Sequence, residues 1–94
     1  MAYRPNDFYA RKARKEQYAA RSVYKLKEID DKHHIFRPGA QVMDLGASPG
    51  SWSQYASEKV GRKGRVFGID LKKVMLSIPN AVFVKADINL SLIH

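Results

Sequence analysis

The sequence contains no cysteine, and this absence excludes two classes of small protein. Without cysteine there is neither a disulfide framework nor a thiolate metal site. The three histidines, His33, His34 and His94, form no obvious set of metal ligands. We therefore expect no bound metal and a cytoplasmic location.

Long apolar runs are also absent. A membrane-spanning helix needs about 18 or more consecutive apolar residues, and no stretch of this chain approaches that length. The N-terminal residues are polar and basic, without the apolar centre of a signal peptide. Because 45% of the 94 residues are hydrophobic and 28% are charged, the composition indicates one small globular domain with no membrane partner.

Positive charge, in contrast, is abundant and unevenly distributed. The net charge is +8, and residues 1–27 contain eight basic and two acidic side chains, which places +6 of the excess there. Cations neutralise phosphates and aromatic rings stack on bases, so we expect RNA or DNA as the partner. A solvated basic tail without a partner is the alternative. The aromatic residues interleaved with these cations are Tyr3, Phe8, Tyr9, Tyr18 and Tyr24.

The N-terminal third of the chain predicts a basic arm followed by a helix. Residues 3–16 show no clean apolar periodicity, so we expect a helix at most over Tyr9 to Lys15 and a poor core element. Lys25 lies at the margin of the next helix's apolar face, where its stem can pack while its ammonium reaches a neighbouring cleft. A plain solvent-exposed lysine is the alternative. A helical period over Tyr18 to His33 places on that face Tyr18, Ala19, Ser22, Leu26, Ile29 and His33.

The remainder of the chain alternates between strand and helix patterns. A helix between two strands is the βαβ unit of parallel sheets, and the pattern predicts an α/β fold that begins a doubly wound parallel sheet. The predicted strands are Gln41 to Leu45, Gly64 to Asp70 and Ala81 to Lys85, and the predicted helix is Ser51 to Val60, ending at Gly61.

Three acidic residues, Asp44, Asp70 and Asp87, mark the ends of the predicted strands. In an open parallel sheet these carboxyl ends meet at one crevice, where nucleotide-like ligands bind. Gly46 and Gly50 bound the loop after the first strand, and glycine lets a ligand approach the main chain. Asp70 follows that loop by about 20 residues, the position from which an acid bonds ribose hydroxyls, and Asp87 is expected on the adenine side.

The loop favours a cofactor without phosphate. The Gly-x-Gly-x-x-Gly spacing is absent, and Pro49 lacks the backbone N–H that a pyrophosphate site would use, which makes NAD the weaker candidate. An Asp-x-Gly-x-x-x-Gly loop suits a ligand with an adenine, a ribose and a cationic sulfonium. S-adenosylmethionine fits that description.

One motif resembles a known family. The stretch DLGASPGSWSQ, from Asp44 to Gln54, resembles the cofactor motif of the FtsJ-like ribose 2′-O-methyltransferases, also called the RrmJ family. Upstream, ARSVYKL at residues 20–26 is similar to the signature of that family's first helix. GIDL at residues 68–71 and KAD at residues 85–87 are similar to its next two strand ends. The similarity extends from about Phe8 to Asp87.

The resemblance implies a Rossmann-like doubly wound parallel sheet of the S-adenosylmethionine-dependent methyltransferase type, truncated after about three strands. It implies that Lys25 is the first member of the family's Lys-Asp-Lys-Glu catalytic tetrad. The other three members lie on later strands, beyond His94, so we expect the 94-residue chain alone to be inactive. The implied cofactor contacts are Gly50, Trp52, Asp70 and Asp87, with Asp44 and Gly46 shaping the loop.

The resulting hypothesis is an RNA ribose 2′-O-methyltransferase present as an N-terminal fragment, with ribosomal RNA or the ribosomal subunit as partner. Residues 1–17 would form a basic RNA-docking arm, and residues 18–94 the N-terminal half of a methyltransferase domain. Two alternatives stay open: a non-catalytic RNA-binding or cofactor-binding module derived from such an enzyme, and, more weakly, part of a dinucleotide-dependent oxidoreductase. The expected RNA-binding residues are Arg11, Lys12, Arg14, Lys15 and Arg21.

Overall fold

The computed structural model of the chain describes residues 5–86. Three parallel strands are accompanied by helices, which confirms the predicted α/β class and a partial Rossmann-like fold. The elements in chain order are α1 (Pro5–Lys15), α2 (Val23–His33), β1 (Gln41–Leu45), α3 (Ser51–Val60), β2 (Arg65–Asp70) and β3 (Ala81–Lys85).

The strands lie in the order β1-β2-β3, and both neighbouring pairs are parallel. Leu45 pairs with Ile69, which pairs with Val84, so the carboxyl ends of all three strands reach the same edge of the sheet. α3 makes the crossover from β1 to β2 that a parallel pair requires. Within residues 5–86, β1 has a strand partner on one side only.

α3 covers one face of the sheet and forms most of the core. Val66 of β2 is fully buried against Ala56 and Val60 of α3, and Phe36 connects this cluster to a second one between α2 and α3. The opposite face of the sheet is largely exposed and apolar. Its exposed side chains are Met43, Leu45, Phe67, Val82 and Val84.

The first two helices differ from their predicted bounds. The first is longer than Tyr9 to Lys15, and it contributes the buried Ala13 to the core. The second begins at Val23 and not at Tyr18. The chain turns at Gln17, whose φ is 66°, and Gln54 bonds the backbone at and just after this turn. The side-chain amide of Gln54 accepts from the N–H of Ala19 at 2.8 Å and donates to the carbonyl of Gln17 at 3.0 Å. These bonds satisfy backbone groups that a continuous helix would have paired internally.

The buried face of α2 also differs from the predicted one. Val23, Leu26 and Asp30 are buried, whereas Ser22 and His33 are exposed. A charged residue on the buried face contradicts the apolar pattern, but both carboxylate oxygens accept hydrogen bonds. It accepts from the Tyr55 hydroxyl at 2.7 Å and from the backbone N–H of Phe36 at 3.1 Å.

The bonds to Asp30 determine its ionisation. Burial alone would raise the pKa of this carboxyl, but the hydrogen bonds from Tyr55 and from the backbone of Phe36 outweigh it and lower the pKa below its ordinary value. Burial and the same hydrogen bond raise the pKa of Tyr55. Asp30 is thus held as a buried anion whose main donor comes from the neighbouring helix.

Replacing Tyr55 by phenylalanine should lower the free energy of unfolding by about 1.5–3 kcal/mol at neutral pH, because a buried carboxylate loses a hydrogen bond. Urea denaturation measures this loss. Tyr18→Phe is the matched control, since the Tyr18 hydroxyl donates to the exposed carboxylate of Glu58 at 3.0 Å. We expect that control to change the stability by less than about 0.5 kcal/mol.

The effect of Tyr55→Phe should also depend on pH. Because folding lowers the pKa of Asp30, the ionised carboxyl stabilises the fold fully above its unfolded pKa of about 3.9. That stabilisation is lost as the pH falls through the lower folded value. The stability difference between the parent and Tyr55→Phe should therefore shrink below about pH 4. A difference that is constant down to acid pH would contradict the assignment.

Candidate functional site

The loop between β1 and α3, residues 46–50, bends over the carboxyl end of β2. The backbone N–H groups of Gly46 and Ala47 both donate to the carbonyl of Ile69, at 2.7 and 3.1 Å. The N–H of Ser48 donates to Asp70 Oδ2 at 2.9 Å. The loop is therefore fastened to the neighbouring strand by its backbone N–H groups, and the buried side chain of Ala47 packs beside Gly68 of β2.

The two loop glycines are required for different reasons. Gly46 has φ +76°, and a Cβ built on it meets no atom within 4 Å, so its bare backbone faces open space. Gly50 has φ +114° at the start of α3, and a Cβ there would lie 2.6 Å from Leu76 Cδ1. Gly46 thus leaves room for a ligand, whereas Gly50 makes room for the chain segment 71–80.

A pocket of about 340 Å³ lies along this loop, a size within the range of small-molecule sites. The indole N–H of Trp52, whose residue is 39% exposed, donates to the carbonyl of Ser22 at 3.1 Å. The hydroxyls of Ser22 and Ser51 lie 3.3 Å apart. The start of α2 is thereby joined to the start of α3 at the pocket wall. The lining residues are Ser22, Asp44, Leu45, Gly46, Ala47, Ser48, Pro49, Ser51 and Trp52.

The structure brings some of the predicted cofactor residues together. Asp44, Gly46 and Trp52 line the pocket, and Gly50 is buried behind it. Asp70 is not on the wall itself but contacts the loop through Ser48. Asp87, which was predicted to contact the cofactor, lies outside the described residues.

The two described acids have different surroundings. Asp44 accepts from the Ser53 hydroxyl at 2.7 Å, which ties β1 to α3. Asp70 accepts from the backbone N–H of Lys72 at 2.8 Å and from that of Ser48, and these bonds lower the pKa of its carboxyl. Since each carboxylate oxygen has two lone pairs, Asp70 can still accept a hydroxyl hydrogen beside these backbone bonds.

A second hollow, which we call the Lys25 groove, adjoins the loop pocket. Its volume is about 400 Å³, and Ser22 lines both cavities. Lys25 Nζ lies 4.0 Å from Glu28 Oε2, and both side chains are about 70% exposed. Such an exposed pair contributes little and is easily exchanged. The groove is lined by Tyr9, Arg21, Ser22, Tyr24, Lys25 and Glu28.

The predicted RNA-binding residues fall into two groups. Arg11, Lys12 and Lys15 lie together around a hollow on α1, and Arg14 is exposed in the last turn of the same helix. Arg21 lies apart from them, in the Lys25 groove. The Lys12 ammonium is 4.8 Å from the centre of the Tyr24 ring, so a cation–π contact connects α1 to α2.

Three side chains that the sequence reasoning did not assign to the site organise it. Ser22 forms the shared wall, Ser53 bonds Asp44, and the Gln54 amide holds the turn before α2. Ser22 and Lys25 are three residues apart, and helical spacing places such residues on the same side. This pattern could have identified Ser22 as a neighbour of Lys25. No local sequence pattern predicts the contacts of Ser53 and Gln54, because each joins elements that are separate in the chain.

Two further observations concern the described part of the chain. Among residues 5–86, no group of three or more histidine, aspartate or glutamate side chains is arranged to hold a metal ion. No helix in that range has both the length and the apolar character needed to cross a membrane.

Comparisons with known proteins agree on one family. The sequence model of the FtsJ-like methyltransferase family matches residues 18–92. The ribosomal RNA large subunit methyltransferase E of Bdellovibrio bacteriovorus is 60% identical over 88 residues, which are 94% of this chain and 45% of that protein. The enzyme of the same name from Syntrophobacter fumaroxidans is 54% identical over 84 residues, covering 89% of this chain and 43% of that protein.

A solved structure shows the same similarity. The crystal structure of a ribosomal RNA methyltransferase from Plasmodium falciparum superposes with a TM-score of 0.67 at 35% identity. The superposition covers 74% of this chain and 38% of the other. The chain therefore spans less than half the length of these relatives.

Gly50→Ala should destabilise the protein more than Gly39→Ala. Gly39 also has a positive φ, +84°, but a Cβ there meets nothing within 4 Å, so this control isolates backbone strain of about 1–2 kcal/mol. At Gly50 the methyl group must also displace Leu76, which adds about 1–3 kcal/mol of overpacking. Urea denaturation of both variants tests this. Equal losses would mean that the loop does not depend on contact with segment 71–80.

Proposed function

The chain belongs to the FtsJ-like methyltransferase family, and from this premise we propose that it supplies the cofactor pocket and RNA-docking surface of an RNA ribose 2′-O-methyltransferase. Methyltransferases of this kind use S-adenosylmethionine in general. The observation that carries the proposal is the wall shared by two cavities: Ser22 lines both the loop pocket and the Lys25 groove. A methyl donor in one cavity would adjoin an acceptor in the other.

The residues of the loop fit such a cofactor. The open space in front of Gly46 admits a ligand against bare backbone, and the carboxylate of Asp70 has lone pairs for ribose hydroxyls. We assign Trp52 and Asp44 to the wall of the cofactor pocket. Gly50 supports this wall, because its lack of a side chain lets segment 71–80 pack against the loop. Asp87 is assigned to the adenine side from its position after β3 in the sequence. When bound, S-adenosylmethionine supplies a methyl group on a cationic sulfur.

Lys25 would act on the acceptor side. Its ammonium is exposed, and its partner Glu28 lies at the long distance of 4.0 Å, so the ion pair is readily replaced by an RNA oxygen. We assign to Lys25 the task of holding the reactive ribose oxygen or an adjacent phosphate. The whole enzyme's remaining catalytic groups are not assigned to residues of this chain.

The RNA partner is proposed from charge and from the relatives. Residues 1–17 would form the docking arm, and residues 18–94 the methyltransferase part. Cations on an exposed helix release counterions when they neutralise phosphates, which favours nucleic acid over a neutral partner. Because two relatives are named for the large subunit, we propose ribosomal RNA as the substrate and the cytoplasm as the location. The docking residues are Arg11, Lys12, Arg14 and Lys15 of the arm, with Arg21.

Asp70→Ala should weaken binding of S-adenosylhomocysteine by about ten- to hundredfold, because charge-assisted bonds to the ribose are lost. Asp70→Asn, which keeps the shape and one oxygen acceptor, should give a smaller loss. Isothermal titration measures both, and thermal unfolding shows whether the loop has kept its structure. Unchanged affinity in Asp70→Ala would overturn the ribose assignment. Tighter binding of NADH than of S-adenosylhomocysteine by the parent would favour an oxidoreductase.

A further inference from the structure

The junction of α1 and α2 contains an aromatic cluster whose members differ in how they are held. Tyr24 is half-buried, its hydroxyl donates to Glu16, and the Lys12 ammonium lies over its ring. Tyr18 packs edge-on against it, with ring centres 6.1 Å apart, and donates to Glu58. These two rings therefore serve to hold the helices together.

Tyr9 is held differently. It is 41% exposed, and its hydroxyl makes no hydrogen bond within the described part of the chain, whereas the hydroxyls of Tyr18, Tyr24 and Tyr55 all donate to carboxylates. Its ring contacts Phe8 edge-on at 5.2 Å and Tyr24 at 5.6 Å with a 35° tilt, so neither neighbour stacks flat on it. With these edge-on and tilted contacts, Tyr9 remains 41% exposed.

The exposed ring lies in a cavity with cationic groups. Tyr9 lines the Lys25 groove together with Arg21 and Lys25, while Glu28 is the acidic residue there. The groove is open and shares Ser22 with the loop pocket. An aromatic surface beside cations is the combination that single-stranded nucleic acid uses, since the base stacks and the backbone is neutralised.

We propose that Tyr9 is the stacking platform for one unpaired RNA base, and that it positions the nucleotide whose backbone contacts Arg21 and Lys25. The inference rests on the proposed function and specifies how its substrate is held. An unpaired base is required because a base inside a duplex offers no free face to a side chain. Tyr9 is a positioning residue, and it provides affinity that depends on the base and not on charge.

The experiment compares two RNA strands on the 94-residue chain. One is a short single-stranded oligonucleotide, and the other has the same length and phosphates but abasic central nucleotides. The parent should prefer the strand with bases by about five- to hundredfold, as expected for one stacked base. Tyr9→Leu should reduce this preference toward one while leaving the affinity for the abasic strand and the salt dependence unchanged. Tyr9→Phe should retain the preference.

Two controls separate stacking from other effects. Phe8→Leu removes a ring of similar exposure, 42%, that lines the hollow on α1 instead of the groove, and it should keep the base preference. Replacing Arg11, Lys12, Arg14 and Lys15 by glutamine should lower the affinity for both strands and flatten the salt dependence. Intact affinity of Tyr9→Leu for the abasic strand shows that α1 is still in place.

Several results would overturn the proposal. Equal binding of both strands by the parent, or a preference that survives Tyr9→Leu, would show that the ring does not stack on a base, while RNA docking through charge would stand. Loss of the preference in Phe8→Leu to the same extent would assign it to the cluster as a whole. If the parent binds neither strand, the RNA part of the proposed function fails as well, whereas binding of S-adenosylhomocysteine would preserve the cofactor part.

Discussion

The hydroxyl of Tyr55 donates to the buried carboxylate of Asp30, and this bond between α3 and α2 underlies the arrangement of both cavities. α3 is the crossover helix, so its position is set by the sheet. α2 precedes the sheet and takes its position from α3. At the other end of the contact, Trp52 bonds the carbonyl of Ser22. α2 is thus fastened to α3 near both of its own ends, and it cannot slide without breaking a buried, charge-assisted bond.

Because α2 is fastened to α3, the site consists of two adjoining cavities. The loop pocket depends on β1, on the loop that bonds to β2 and on the start of α3, whereas the Lys25 groove depends on α1 and α2. They adjoin because the α2 end that carries Ser22 lies against the first turn of α3. A transfer reaction needs donor and acceptor held within contact distance, and a small misplacement is costly in rate. The Gln54 amide contributes by holding the turn at Gln17, which directs α1 toward the groove.

Much of the fold could be predicted from the sequence, because strand and helix periods are local. β1, α3 and β3 have the predicted bounds, and the glycine loop, Asp44 and Asp70 lie at the predicted edge of the sheet. The predicted start of α2 was wrong because the true boundary depends on Gln54, a residue distant in the chain that bonds the turn before α2. The predicted buried face of α2 was wrong because Asp30 is buried only through its bond to Tyr55 of α3. The helical period of α2 does not reveal such a bond. The adjacency of the two cavities could not be predicted either, because it depends on the packing of α2 against α3, whereas the motif that identifies the family is contiguous in the sequence.

The central claim, that the loop pocket and Lys25 serve one transfer reaction, is tested most directly by methyl transfer itself. The chain would be joined to the part of the Bdellovibrio bacteriovorus relative that follows its matched segment, and transfer from labelled S-adenosylmethionine to ribosomal RNA would be measured. We expect activity that Lys25→Ala lowers by about a hundredfold or more while affinity for S-adenosylhomocysteine is preserved. Lys27→Ala, an exposed lysine on the same helix but outside the groove, should remain active. Undiminished transfer by Lys25→Ala would contradict the account.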